Sequence, residues 1–540
     1  MAEVGEVEPL PWQTIPELLR DIAERHADLE AVVDGGVRLG FGDLRIEAQH
    51  VARALAAAGI QPGDRVAIWA SNGWRWVVAA CGVWQVGAVL VPLASRWKAP
   101  EVGPLIQRTD ARLLFTEHRG AHENLLPALV SRFGRGGTEH PIVGLPSLEH
   151  IVCLDAPPGA CPESAQAWAE FLVSGEDTST PDESGVGPDA LAEILFTSGT
   201  TGAPKGVELC QRQLLQAYWD WSGIGGLRPG DRFLVIPPYS HGFGINGGIL
   251  ACLMRGVTNV PVAVFDPQTT LESIERERIN IISGPPTLFA TLMSLEGFDS
   301  NRTTSLRVAF VGAASVPTEL IEAMKKRMGI DRVINAYGLI EVCVVSMTRA
   351  DDPSEVIATT TGRVVPGVEV RILGSDGDDL EDGEAGEILV RSQGIMRGYW
   401  RDPEQTAAAM EPGGWCRTGD IGIRDNAGNL RVVDRLKDAY NCGGFSAYPA
   451  EIENQLLERA EIAQVAVVGV PDVRLGEVGH AFVIAASGQP IVEAELIAWA
   501  RENMANYKVP RRIYALDAFP LNANGKVRKD ALRELAMRGG

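Results

Sequence analysis

The sequence predicts an α/β protein: a large N-terminal domain of stacked α/β subdomains, 1–434, and a small α+β C-terminal domain, 435–540. Three observations predict it. The chain has 540 residues, well past the ~250–300 residues at which a single core stops growing. Short apolar runs alternate with helical patterns, which argues for largely parallel sheets. Beyond Asp434 lies a compact block of about a hundred residues, enough for a small domain.

Taken in order, residues 65–70 and 88–93 read as strands on either side of a helix, and 111–116 as a third strand. The most apolar stretch, 76–93, is interrupted by Gln85 and Gly87 and broken at Pro92. It is short for a bilayer span and reads as a buried helix followed by a strand. The pentapeptide Gln61-Pro-Gly-Asp-Arg65 returns as Arg228-Pro-Gly-Asp-Arg232, each time ahead of a strand. The echo suggests two related halves, although P-G-D is also simply a good turn. Residues 174–189 are rich in Gly, Ser, Pro, Asp and Glu and read as a link, and 376–386 as an acidic turn between strands. In the last block, 450–459 and 492–504 read as helices, and 464–470 and 480–485 as strands.

A net charge of −21 argues against nucleic acid or an anionic membrane as partner. An anionic ligand must therefore meet local basic groups or backbone amides. The eight cysteines form no C-x-x-C pair, and the N-terminus lacks a basic region followed by an apolar core. The expectation is a soluble cytoplasmic protein with free thiols and no integral membrane segment.

Residues 195–210 read L-F-T-S-G-T-T-G-A-P-K-G-V-E-L-C after a strand-like run at 192–196. Thr197, Ser198, Gly199, Thr200, Thr201 and Gly202 offer hydroxyls and close backbone approach to an anion, and Lys205 adds a cation. Many such loops are only linkers, and this one is not a Walker loop. In Asn335-Ala-Tyr-Gly-Leu-Ile-Glu341 an aromatic ring can stack on a purine, an amide can read its amine, and a carboxylate can hold Mg²⁺. Gly414-Trp-Cys-Arg-Thr-Gly-Asp420 offers a carboxylate to a ribose, or is an acidic β-turn. Asp434-Arg-Leu-Lys-Asp438 and Pro520-Leu-Asn-Ala-Asn-Gly-Lys526 complete an ordered series. The Asn-Gly turn projects Lys526, where a cation can stabilise developing charge; alone it would be an ordinary hairpin.

Together these strings resemble the motifs of the adenylate-forming superfamily: acyl-CoA synthetases, peptide-synthetase adenylation domains and luciferases. The resemblance spans about residues 15–535. It implies a two-step ligase. A carboxylate attacks the α-phosphorus of ATP to give acyl-AMP and pyrophosphate, and the thiol of CoA then displaces AMP. It implies that Tyr337 stacks on adenine beside Gly312, Ala313 and Gly338, and that Asn335 contacts the adenine amine. Glu341 and Thr201 would ligate Mg²⁺, Asp420 and Arg435 would hold the ribose, and Lys526 would be catalytic for adenylation. Lys437 would be the hinge of a mobile C-terminal domain, with Gly443 and Gly444 lining the CoA channel. His241, in Pro237-Pro-Tyr-Ser-His-Gly-Phe-Gly244, would gate the passage to the thiol channel. Phe243, Gly284 and Leu339 would line the acyl pocket. Homodimers are common in the family.

One position departs from the pattern. Ile340 stands where the family's threonine contacts the adenylate phosphate, and isoleucine cannot donate a hydrogen bond. Losing one transition-state donor costs ~2.7–4 kcal/mol. Several segments resemble actinobacterial ligases for the propionate side chains of partly degraded steroid rings; a fatty acid is the competing substrate. Two other readings stay open. One is an adenylation-only enzyme serving a carrier protein. The other, motivated by Ile340, is a non-catalytic nucleotide-binding paralogue.

Overall fold

A computed structural model describes residues 9–118, 124–137, 141–162, 164–197, 204–312, 316–436, 438–442, 445–486, 489–522 and 526–538, without the side chains at 184, 441, 445 and 446. Its contacts divide the chain into two compact units, Met1–Glu369 with Val390–Cys416, and Val370–Leu389 with Arg417–Gly540. The boundary expected at 434/435 falls a short way beyond this division.

The first unit holds two large sheets. One runs Gly398–Tyr399, Lys205–Cys210, Leu191–Thr197, Val89–Leu93, Arg65–Trp69, Leu113–Thr116, His150–Cys153 and Gln166–Ala167. It is parallel from Leu191–Thr197 onward. The helix Trp74–Gln85 is buried on every face from Trp76 to Gln85, which is why its sequence shows no polar stripe. The other sheet has a parallel centre, in the order Arg332–Leu339, Val308–Val311, Ile281–Gly284, Arg232–Val235, Thr258–Pro261 and Glu30–Asp34. Antiparallel strands close both of its edges.

The repeated pentapeptide makes the same turn twice. Asp64 Oδ2 accepts from Gln61 N and Asp231 Oδ2 accepts from Arg228 N, both at 2.9 Å. Gly63 and Gly230 take φ values of 85° and 84°. Their N–H groups donate to the carbonyls of Gly87 and Gly256, at 2.8 and 2.9 Å. Each aspartate also receives an arginine, Arg112 at Asp64 and Arg307 at Asp231. The echo is therefore structural: each turn launches a parallel strand, a helix and a second strand. Where the first of these sheets ends, Ser71 donates to Glu117 Oε2 through N at 3.2 Å and through Oγ at 3.1 Å.

The link at 174–189 carries one short turn, Glu183–Gly185, with Glu183 bonded to Arg20 and Gln85. All eight cysteines are free thiols. Among the described residues no helix is long and apolar enough to cross a membrane.

The strands Gly386–Arg391, Trp415–Arg424 and Leu430–Arg435, joined by Glu369–Leu373 around the acidic turn, lie for the most part in the second unit. Its other sheet is built on the long hairpin Ile462–Asp472 and Gly476–Ala485. Alternate residues of that hairpin serve opposite faces. Val467 and Ala481 pack with Ile452, Leu456, Leu496 and Ala500 from the helices Pro449–Leu456 and Glu493–Asn503. Val468 and Phe482 pack with Leu532 and Ala536 from the helix Lys529–Arg538. This is the α+β architecture expected from the sequence.

Candidate active site

Strand register assembles one side of the site. Gly284, Val311 and Asn335 stand directly opposite one another across three adjacent parallel strands. Gly312 and Tyr337 follow just beyond. The strand Arg232–Val235 pairs with Thr258–Pro261 on one edge and with Ile281–Gly284 on the other. The chain therefore turns opposite ways from neighbouring strands, and ligands of open parallel sheets bind at the carboxyl ends of strands at such a switch point.

The chain leaving Arg232–Val235 carries His241, which is exposed. The Phe243 N–H donates to His241 Nδ1 at 3.2 Å, so a neutral ring carries its proton on Nε2. A π-helix follows, Phe243–Leu250. It starts close against the preceding turn: a Cβ on Gly244 would stand 2.0 Å from the Pro238 carbonyl oxygen. The Phe243 ring meets Trp221 edge-on at 5.6 Å, and Trp221 stacks on Phe310 at 4.2 Å. These three rings pack as one apolar cluster, in which Trp221 and Phe310 are buried. Trp221 and Phe310 were not legible as neighbours of Phe243, because only folding brings the helix Gln211–Gly225 to the strand Val308–Val311.

The hairpin that follows the row supplies the next groups. Asn335 is buried, and its Nδ2 donates to the carbonyls of Ile357 at 3.1 Å and Thr360 at 3.0 Å. Both N–H bonds are thus engaged, which fixes Oδ1 as the acceptor end, the correct polarity for an amine. Tyr337 pairs with Ser346 across the hairpin, where the register shifts before Gly338. A Cβ on Gly338 would lie 2.1 Å from the Cys343 carbonyl oxygen. Cys343 itself has φ +56°, a conformation costly for a side-chain-bearing residue. Leu339, Ile340 and Glu341 are presented on this tight loop. Ile340 Cγ1 lies 3.8 Å from where a Cβ would stand on Gly242, with Leu195 Cδ1 at 3.6 Å and the Tyr218 hydroxyl at 3.8 Å from the same point.

Thr197 and Lys205 face each other across the antiparallel pair that flanks the expected phosphate loop. Lys205 Nζ donates to Gln405 Oε1 at 2.6 Å and lies 4.8 Å from the centre of the Tyr399 ring. The Tyr399 hydroxyl in turn donates to Glu341 Oε1 at 3.1 Å. Burial, and then the facing Glu341 carboxylate, push the Tyr399 phenol well above its ordinary range, so it stays a donor. Tyr399 and Gln405 are missed by sequence reading, since their partners lie far away along the chain.

In the second unit, Asp420 and Arg435 are cross-strand partners. Arg435 Nε donates to the buried Asp420 Oδ1 at 2.8 Å. Lys526 is exposed and closes a turn: its N–H donates to Asn522 Oδ1 at 2.9 Å, and its carbonyl accepts from Asn522 N at 2.8 Å. Ser198, Gly199, Thr200, Thr201, Gly202, Ala313, Lys437, Gly443 and Gly444 lie outside the described residues.

Glu341 is a single carboxylate, and among the described residues no group of three or more His, Cys, Asp or Glu could cage a metal. That donor set fits Mg²⁺, which takes hard oxygens, typically one or two carboxylates with the rest from phosphates and water. One more polar pair lies beneath the loop. Glu193 is fully buried and Asn246 Nδ2 donates to its Oε2 at 3.1 Å. Burial pushes the Glu193 carboxyl up to about 8, opposed by that hydrogen bond.

Comparison with known proteins gives the same picture over nearly the whole length. Residues 19–400 match the model of the AMP-binding enzymes, and residues 451–526 that of their C-terminal domain. A methyl-dioxo-octahydroindenyl-propanoyl:CoA ligase of Mycobacterium tuberculosis is 41% identical over 97% of this chain and 99% of its own. Its namesake in Rhodococcus jostii is 39% identical over 96% and 98%. A solved anthranilate CoA ligase in complex with anthranoyl-AMP superposes with a TM-score of 0.85 at 25% identity, covering 98% of both chains.

Proposed function

The chain belongs to the AMP-binding enzyme family and is an ATP-dependent acyl-CoA ligase; we propose that its acid is a propionate borne on fused, partly oxidised rings, as left by partial steroid breakdown. It uses ATP, Mg²⁺ and CoA. The observation that carries the substrate reading is the 41% identity, over 97% of this chain, to a ligase named for such an acid.

In this reading the acid's carboxylate attacks the ATP α-phosphorus, pyrophosphate leaves, and the thiol of CoA then displaces AMP from the acyl carbon. Tyr337 stacks on adenine and Asn335 Oδ1 accepts from its amine, beside Gly312 and Gly338. Asp420, oriented by Arg435, accepts from the ribose hydroxyls. Thr197 to Gly202 and Lys205 hold the phosphates. Glu341 and Thr201 would hold Mg²⁺, which would supply neutralisation of the phosphate charge. Lys526 steadies the charge that develops as the carboxylate attacks. Lys437 is the hinge between a domain of 1–434 and one of 435–540, and Gly443 and Gly444 leave room for the pantetheine arm. His241 gates the passage between the two half-sites, and Phe243, Gly284 and Leu339 contact the acyl group. The protein works in the cytoplasm, as a homodimer.

The test is ATP- and Mg²⁺-dependent loss of free CoA thiol with a bicyclic diketo propionic acid, a medium-chain and a long-chain fatty acid in parallel. Thiol loss with the bicyclic acid alone is expected. Preference for a fatty acid would replace the substrate reading and leave the ligase intact. Pyrophosphate release without thiol loss would indicate a carrier protein as acceptor.

A further inference from the structure

Lys205 and Glu341 carry opposite charges, and both reach the same side chain. The Tyr399 ring lies under the ammonium at 4.8 Å, while its hydroxyl donates to Glu341 Oε1 at 3.1 Å. Tyr399 is itself held from several directions. It pairs with Val207 two places beyond Lys205, its N–H donates to Thr406 Oγ1 at 2.9 Å, and it is 9% exposed. The segment it belongs to also fixes the neighbours of both charges. Met396 N donates to the Glu341 carbonyl at 2.7 Å, Trp400 N donates to the Gly206 carbonyl at 2.7 Å, and Gln405 accepts from Lys205 Nζ.

We propose that Tyr399 is a positioning residue for adenylation: it holds Lys205 and Glu341 apart and aimed, so that MgATP meets a site already set. The proposal rests on the reading of Lys205 and Glu341 as the phosphate cation and the Mg²⁺ ligand. Without a spacer, an ammonium and a carboxylate in one partly buried site would pair, and ATP would have to break that pair to bind. Tyr399 prevents this with its two distinct ends. The ring face attracts the cation through its quadrupole, and the hydroxyl engages one carboxylate oxygen.

The two ends can be removed separately. Tyr399→Phe keeps the ring under Lys205 and deletes the hydroxyl. Tyr399→Leu deletes both. ATP binding is measured by calorimetry across a Mg²⁺ titration, without acid or CoA, alongside pyrophosphate release with acid. Tyr399→Phe is expected to raise the Mg²⁺ concentration for half-maximal ATP binding about tenfold, the effect of one lost hydrogen bond to a charged group. At saturating Mg²⁺ its KM for ATP should return close to that of the unsubstituted enzyme. Tyr399→Leu is expected to weaken ATP binding at every Mg²⁺ concentration. A Tyr399→Phe protein that folds with an unchanged Tm and shows unchanged Mg²⁺ dependence overturns the proposal. An unsubstituted protein whose ATP binding ignores Mg²⁺ overturns the underlying reading of Glu341 as well, so the two failures are distinguishable.

Discussion

Gly338 and Cys343 are packed backbone to backbone: a Cβ on Gly338 would come within 2.1 Å of the Cys343 carbonyl oxygen. That carbonyl belongs to a residue already held at φ +56°. The close approach sets the loop on which Ile340 and Glu341 sit. Gly338→Ala must push the hairpin open, and overpacking of this kind costs about 1–3 kcal/mol. The expected result is a lowered Tm together with a loss of pyrophosphate release of at least about a hundredfold, since misplacements of about 1 Å at a reacting centre cost that much. Full activity would show that the loop tolerates another shape.

Ile340 lies toward Gly242 and Leu195, near the Tyr218 hydroxyl. Ile340→Thr supplies the donor that the family's pattern places there. Pyrophosphate release should rise about tenfold or more, within the range that one transition-state donor contributes. Single-turnover kinetics separate this step from thiol transfer. A slower variant would mean that another donor already serves the phosphate and that the isoleucine side chain is needed for packing.

Asn335 spends both amide N–H bonds on the Ile357 and Thr360 carbonyls. Asn335→Asp sets carboxylate oxygen against carbonyl oxygen at a buried position. Loss of a buried hydrogen bond that leaves partners unsatisfied costs about 1–3 kcal/mol, more where charge is involved. Thermal denaturation should show a clear fall in Tm. An unchanged Tm would contradict the amide orientation.

The buried Glu193 makes stability depend on pH. Its carboxyl lies at about 8 in the folded protein, against 4.5 for a free side chain. The folded state therefore holds the proton more tightly than the unfolded state. This contribution is fully present below the unfolded value and is lost as pH rises to the folded one. The slope is at most about 1.4 kcal/mol per pH unit for one proton. Glu193→Gln removes the titration and keeps an acceptor for Asn246. The Tm of the variant relative to the unsubstituted protein should increase between about pH 5.5 and about pH 8, by the linkage just stated. A difference that stays constant with pH would place the titration elsewhere.

Features written in consecutive residues were legible in the sequence. The strand at Arg65–Trp69 and the buried helix Trp74–Gln85 announce themselves by apolar runs, and the small α+β unit by its alternation. Asn335, Tyr337, Glu341, Asp420 and Lys526 stand in short strings whose residue types suit a nucleotide. What the sequence concealed arises from register and packing. Nothing along the chain says that Tyr399 will lie between Lys205 and Glu341, because pairing with Val207 brings it there. Glu193 looks like an ordinary strand acid until the π-helix lays Asn246 against it. The Asp420–Arg435 pair is likewise a matter of strand alignment, although each residue could be singled out alone.

The twin Pro-Gly-Asp-Arg turns have a consequence for how the fold bears change. In each, one aspartate holds both the first N–H of its turn and an arginine from further along the chain, so the two halves start their strands from the same kind of anchor. In the half begun by Asp64, Ser71 and Glu117 also tie together the chain just beyond Arg65–Trp69 and Leu113–Thr116. In the half begun by Asp231, Gly284, Val311 and Asn335 stand in register at the strand ends. A sheet anchored where its strands begin keeps its register while the residues at the far ends vary.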